Sequence, residues 1–187
     1  MVGPEWEYPL TGIKVGTGFS LRRWMIPAAC GWQGRAYYLD ADIQAFHDVG
    51  ELDDLSTAAL GAEKVIACTL QKEYNPAKYG HNNPWPQTSV MAIDCARAKG
   101  YWGFEIDKVL EHLRANPGKG PYGRFMHADW LAGKVGVLPD RWNHLNVYVP
   151  RGTPKHTRLL HYTKEDTQPT YKPDHPLAHL WRDELVE

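Results

Sequence analysis

Hydrophobic positions along the chain fall into short runs separated by Gly, Pro and Asn, and the spacing within each run predicts its element. Leu21, Trp24, Met25 and Ala28 recur at helical spacing after Ser20, a suitable N-cap, so a helical segment is expected over 21–30, limited by Pro27 and ended by Gly31. Arg35-Ala-Tyr-Tyr-Leu-Asp40, Lys64-Val-Ile-Ala-Cys-Thr-Leu70 and Ser89-Val-Met-Ala-Ile-Asp94 are continuous apolar runs that read as buried strands. One or two helical turns are expected within 48–55. The clearest amphipathic helix is 105–115, with Ile106, Val109, Leu110 and Leu113 on one face and Asn116-Pro117-Gly118 as its stop. A helix over 122–131, short strands at 134–138 and 157–162, and a closing helix over 176–186 complete the pattern. Residues 71–87 carry repeated Asn-Pro signals and read as a long loop, and 1–18 as an arm leading into one compact domain over 1–187. Strands alternating with helices predict an α/β layered fold.

Composition narrows the function classes. A chain of 187 residues with 43% hydrophobic and 23% charged residues can bury a core without a disulfide or zinc staple. Twenty-one Lys+Arg against 22 Asp+Glu leave a formal charge of −1, which argues against a general electrostatic grip on nucleic acid or an anionic membrane. Three cysteines, Cys30, Cys68 and Cys95, are odd in number and widely spaced, as expected of a reducing compartment. No apolar run approaches the roughly 20 residues of a bilayer span, and the start lacks a secretory pattern, so the expected location is cytoplasmic. Eight Trp and 10 Tyr against 4 Phe favour rings with a polar handle, suited to half-wet grooves or to irregular core gaps.

Asp40-Ala-Asp42 is the first candidate for chemistry. Two carboxylates one residue apart at the end of a strand can face one hard divalent cation. About one such pair is expected by chance in a chain of this composition, so the alternative is a solvated acidic loop. Flanking apolar residues, Tyr37-Tyr38-Leu39 before and Ile43 and Phe46 after, make the acids costly to bury without a compensating cation. Asp94 ends another predicted strand, so three carboxylates are expected on one rim of the sheet.

Five segments in order carry a resemblance: Phe19-Ser-Leu-Arg-Arg-Trp-Met-Ile-Pro27, Gly34 to Asp42, Ser89 to Cys95, Val137-Leu-Pro-Asp-Arg-Trp-Asn143, and His161-Tyr162 with Gln168-Pro169. Together they resemble the family 8-type nucleotide-sugar glycosyltransferases, over roughly residues 17–185. The resemblance implies a GT-A-like α/β fold, truncated at the front, with a mixed sheet flanked by helices. It implies a metal site of Asp40, Asp42 and His161, and a donor nucleotide sugar, by likeness a UDP-hexose, transferred with retention to an acceptor that is not specified. Arg23 and a loop containing Lys164 and Gln168 would cover the diphosphate; Asp94 would face the sugar, with Asp129 and His127 near donor or acceptor. A mixed carboxylate and imidazole set favours Mn²⁺ over Mg²⁺.

Other readings stay open at this level. Arg23 also reads as a salt bridge on an exposed helix face, and His161 as a core histidine. Trp142-Asn143 reads as a structural corner or an acceptor contact, and Trp85 and Trp102 as sugar platforms or core fillers. His175 and His179 read as helix-surface histidines. Gln168 stands where the family carries a lysine, with Lys164 a candidate replacement. The stretch before Phe19 is shorter than the about 30 residues of one strand–helix–strand crossover, whereas the family begins with such a unit. A reduced donor pocket, a partner subunit, a homo-oligomer or a non-catalytic binding module is therefore expected as the alternative to a self-sufficient enzyme.

Overall fold

A computed structural model describes residues 20–71, 84–145 and 156–163, with Ala178 and Leu180. Its main sheet has four strands: β1 (Arg35–Leu39), β3 (Ile66–Gln71), β4 (Trp85–Asp94) and β5 (Val135–Val137), in the order β1-β4-β3-β5. β4 runs antiparallel to both neighbours, and β3 and β5 are parallel. β3 over 66–68 and β4 over 90–93 are apolar and buried because both faces of the sheet are covered there. Ile66, Cys68, Met91 and Ile93 point into one core with Trp24, Phe104 and Leu131. Ala67, Val90 and Ala92 point into a second with Leu52, Leu60, Leu138 and Trp142.

A smaller sheet sits beside the first: β2 (Ile43–Ala45), β7 (Leu159–His161) and β6 (His144–Leu145), in the order β2-β7-β6. β2 and β6 are too short to be seen as periodic runs, and the sequence reading missed both. β1, expected to be buried, is an edge strand with exposed ends. Its two tyrosines alternate across the sheet, Tyr38 packing on the first core and Tyr37 on the second.

The helices are α1 (Ile26–Ala29), α2 (Gly50–Leu60), α3 (Cys95–Ala98), α4 (Ile106–Ala115) and α5 (Lys119–Met126). The segment 21–30 divides into a 3₁₀ turn, Arg22–Met25, and α1, with Pro27 in its first turn, where no intrahelical donor is needed. α2 is longer than expected. Leu52, Ser56 and Leu60 repeat every four residues on its buried face. α4 matches its predicted face, burying Val109, Leu110 and Leu113. The helix expected over 122–131 instead breaks after Met126, where Ala128 adopts φ 58° and starts a separate 3₁₀ turn, Asp129–Leu131. The closing helix lies outside the described residues except for Ala178 and Leu180, which are helical. Among the described residues no helix is long and apolar enough to cross a membrane.

Candidate metal centre

Asp40 follows β1, and its backbone N–H donates to the Ser89 carbonyl of β4 at 2.9 Å. Asp42 lies just before β2. Its carbonyl accepts the Tyr162 N–H at 3.0 Å, and Ile43 pairs with His161. The short second sheet therefore brings residue 161 beside residue 42, although about 120 positions separate them in the chain. One ligand atom from each of Asp40, Asp42 and His161 lies within 4.8 Å of the others. His161 Nε2 is 3.2 Å from Asp42 Oδ1 and 3.9 Å from Asp40 Oδ2.

The surrounding bonds decide which atoms face the centre. Arg23 Nη2 donates to Asp40 Oδ1 at 2.9 Å, and the Tyr38 hydroxyl donates to the same oxygen. Both donors engage Oδ1, so Oδ2 is the oxygen turned toward His161. On the imidazole, Nδ1 lies 3.1 Å from Asn143 Oδ1, while Asn143 Nδ2 donates to Ser89 Oγ at 2.8 Å. With its NH₂ on Ser89, the amide oxygen is placed to accept an Nδ1–H, and a neutral ring bonded in that way turns its Nε2 lone pair to the carboxylates. Two carboxylate oxygens around an imidazole lone pair repel one another unless a positive charge sits among them. The donor set fits a hard-to-borderline divalent cation held by two oxygens and one nitrogen.

Arg23 is not on an exposed helix face. It is 8% exposed, lies 4.8 Å over the Tyr38 ring, and donates to Thr88 O at 2.8 Å, Thr88 Oγ1 at 3.1 Å and Ser20 O at 3.1 Å. These contacts commit the guanidinium to holding Asp40 in place. Burial, partly offset by the Arg23 charge, pushes the Tyr38 phenol well above its ordinary range, so it remains a donor to the carboxylate.

The expectation of three carboxylates on one rim is corrected. β1 and β4 are antiparallel and Asp94 pairs with Arg35, so it lies at the opposite end of β1 from Asp40. There it caps α3, accepting the Arg97 N–H at 2.9 Å and pairing with Arg97 Nε at 3.2 Å. Parallel strands would have brought both acids to one rim; the antiparallel pairing of β1 and β4 separates them. Asp129 is exposed on its 3₁₀ turn and borders a hollow of about 280 Å³ between α4 and α5, lined by none of the three cage residues. Trp102, in that hollow, has its ring packed against His112, Phe125 and Trp130, consistent with core filling. Trp85 stacks on His127 at 5.3 Å. Lys164, Gln168, His175 and His179 lie outside the described residues.

Sequence reasoning did not assign Tyr38, Thr88, Ser89 or Asn143 to this centre. The only signal available was their polarity within otherwise apolar runs: buried Thr88 and Ser89 open the apolar half of β4, and buried Asn143 follows Trp142.

No protein-family model matches the chain. Protein CDI of Arabidopsis thaliana is 27% identical to it over 184 residues, covering 91% of this chain. The chain spans 65% of the length of that curated relative. Several solved structures share its fold. The galactosyltransferase LgtC, in complex with donor and acceptor sugar analogs, aligns with a TM-score of 0.64 at 14% identity, over 91% of this chain and 66% of its own. Mouse xyloside xylosyltransferase 1 aligns with a TM-score of 0.52 at 13% identity, over 81% of this chain and 67% of its own. The glycosyltransferase GlyE of Streptococcus pneumoniae TIGR4 aligns with a TM-score of 0.52 at 19% identity, over 78% and 37%. The fold is the mixed α/β, GT-A-like fold of these glycosyltransferases.

Proposed function

We propose that this chain is a metal-dependent, retaining hexosyltransferase of the family 8 type, moving a hexose from a nucleoside-diphosphate donor, of UDP type, to an acceptor. The observation that carries the reading is the convergence of Asp40, Asp42 and His161 on one centre in a glycosyltransferase fold. Asp40 Oδ2, Asp42 Oδ1 and His161 Nε2 would hold the cation, with the imidazole favouring Mn²⁺. When bound, such an ion supplies neutralising charge for a diphosphate leaving group. Arg23 and Tyr38 hold one oxygen of Asp40, leaving the other directed inward. Asn143, itself held by Ser89, keeps the imidazole in its ligating tautomer. By the same resemblance Lys164 and Gln168 cover the diphosphate, and Asp129 contributes on the sugar or acceptor side. No protein nucleophile is assigned, and Asp94 is not carried into the reading.

The test is release of UDP from UDP-glucose or UDP-galactose with Mn²⁺, run beside calorimetric titration of UDP and Mn²⁺. Asp42→Asn is the variant of choice, since Asp40→Ala would also strip the buried Arg23 of its partner. Chelator and Asp42→Asn are each expected to abolish release and metal-dependent binding. Unchanged release in Asp42→Asn would overturn the proposal, and no heat at millimolar nucleotide would favour a binding module built on the same fold.

A further inference from the structure

Cys30 and Cys95 are used by neither the metal centre nor its supports, and the fold places them together. Cys30 ends α1 and is exposed; Cys95 begins α3 and is buried. The turn between Cys30 and β1 is folded tightly, with left-handed Gly31 (φ 62°), Trp32 (φ 59°) and Gly34 (φ 66°). A left-handed tryptophan is uncommon and indicates that the surrounding contacts dictate this turn. Its result is that the chain doubles back: Trp32 N–H donates to Pro27 O at 2.8 Å, and Gln33 N–H to Cys30 O at 3.3 Å. Gly34 O then accepts the Cys95 N–H at 3.0 Å. α1 packs directly against α3, which makes the Cys30 and Cys95 side chains neighbours.

We infer that Cys30 and Cys95 form a redox site that closes to an intramolecular disulfide under oxidation by hydrogen peroxide. The exposed Cys30 sulfur attacks the peroxide, the O–O bond breaks, and Cys30 becomes a sulfenic acid as one water leaves. Cys95 Sγ then displaces the sulfenic oxygen as a second water, its thiol proton going to that oxygen. Two thiols and one peroxide thus give one disulfide and two waters.

The order of events follows from the environments. Burial, reinforced by the neighbouring Cys30, pushes the Cys95 thiol up to about 11, which suits a resolving thiol and not the first nucleophile. Cys68, wholly buried in the main sheet, is pushed up to about 12 by burial and stays inert, an internal control in the same chain. The bond would tie α1 to α3 at the end of β1 away from Asp40. Five strand residues, about 16 Å, separate that end from the metal centre, so Mn²⁺ affinity is expected to be unchanged in the oxidised form.

The test is hydrogen peroxide treatment of the reduced 187-residue chain, followed by alkylation under denaturing conditions and peptide mass mapping. Cys95→Ala, with dimedone present, sets the dose at which Cys30 becomes a sulfenic acid. At that dose the parent chain is expected to lose two hydrogens, give a linked Cys30–Cys95 peptide and leave Cys68 as the only alkylated cysteine, all reversed by dithiothreitol. In Cys30→Ala, an exposed substitution that leaves the core intact, Cys95 is expected to stay reduced. Over-oxidation of Cys30 to sulfinic acid beside a still alkylatable Cys95, or oxidation of Cys95 in Cys30→Ala, would overturn the inference. Neither outcome bears on sugar transfer, which is tested separately.

Discussion

His161 Nδ1 lies 3.1 Å from Asn143 Oδ1, and this one bond determines which face of the imidazole meets the acids. The Asn143 amide nitrogen donates to Ser89 Oγ at 2.8 Å, which leaves the amide oxygen facing the imidazole. Both residues are buried, so water does not compete for either bond. A neutral imidazole bonded through Nδ1–H turns its Nε2 lone pair toward Asp40 and Asp42, the arrangement a metal ligand needs.

Loss of that support is expected to weaken the centre without dismantling it. Asn143→Ala should lower Mn²⁺ affinity by about 10–100-fold, the usual effect of removing an outer partner of a ligating histidine. Calorimetry on the variant decides it: affinity equal to the parent would mean that the bond to Asn143 does not orient the ring.

Arg23 holds the other side of the cage. Arg23→Met leaves Asp40 with one fewer compensating charge in a half-buried position. Stability should fall by about 3 kcal/mol, the low end for breaking a buried pair, since Asp40 keeps some contact with water. Urea midpoints measure this. A smaller loss in the presence of Mn²⁺ is expected, because a cation at the cage replaces part of the lost charge.

Metal binding should itself stabilise the fold. At about 100 times its dissociation constant, Mn²⁺ is expected to add about 2.7 kcal/mol to the parent and nothing to His161→Ala. Thermal or urea unfolding with and without the ion reads the difference, and equal stabilisation of both proteins would place the ion elsewhere.

His144 gives the chain an acid sensitivity independent of the cage. Burial, then the nearby His156, hold its imidazole below the ordinary 6.5, with Asp140 opposing. The unfolded chain therefore takes up this proton first as pH falls, so stability declines once pH drops through about 6.5 and stops declining below the folded value. His144→Gln can keep the hydrogen bond to Thr157 Oγ1 and should flatten the stability profile between pH 7 and 5. An unaltered slope in the variant would assign the titration to another group.

Gly136 reports how closely the main sheet meets α2. A Cβ there would lie 2.2 Å from the Ala59 carbonyl oxygen, so Gly136→Ala must move backbone, at a cost on the order of 1–3 kcal/mol. Thermal denaturation checks this. A neutral substitution would show that β5 and α2 slide apart freely.

Much of the fold was legible because its signals are local. The apolar runs in β3 and β4, the face of α4 and the two aspartates after β1 can each be read within a window of about ten residues. β2 and β6 escaped because three or two residues carry no period, and they exist only through pairing with β7. The break at Ala128 escaped because propensity gives no warning of a left-handed alanine, which tertiary contacts around Trp130 and Thr88 impose.

Sequence alone determined the inventory: an α/β chain with paired acids at a strand end, one late histidine in an apolar run, and an order of motifs resembling a glycosyltransferase. Tertiary structure alone decided which groups share a centre. It joined His161 to Asp42 through a three-residue strand, separated Asp94 by an antiparallel pairing, turned Arg23 inward onto Asp40, and set Cys30 beside Cys95. The physical reason is that hydrophobic period encodes which face of an element is buried, whereas the direction and register of strand pairing depend on long-range contacts that no local window contains.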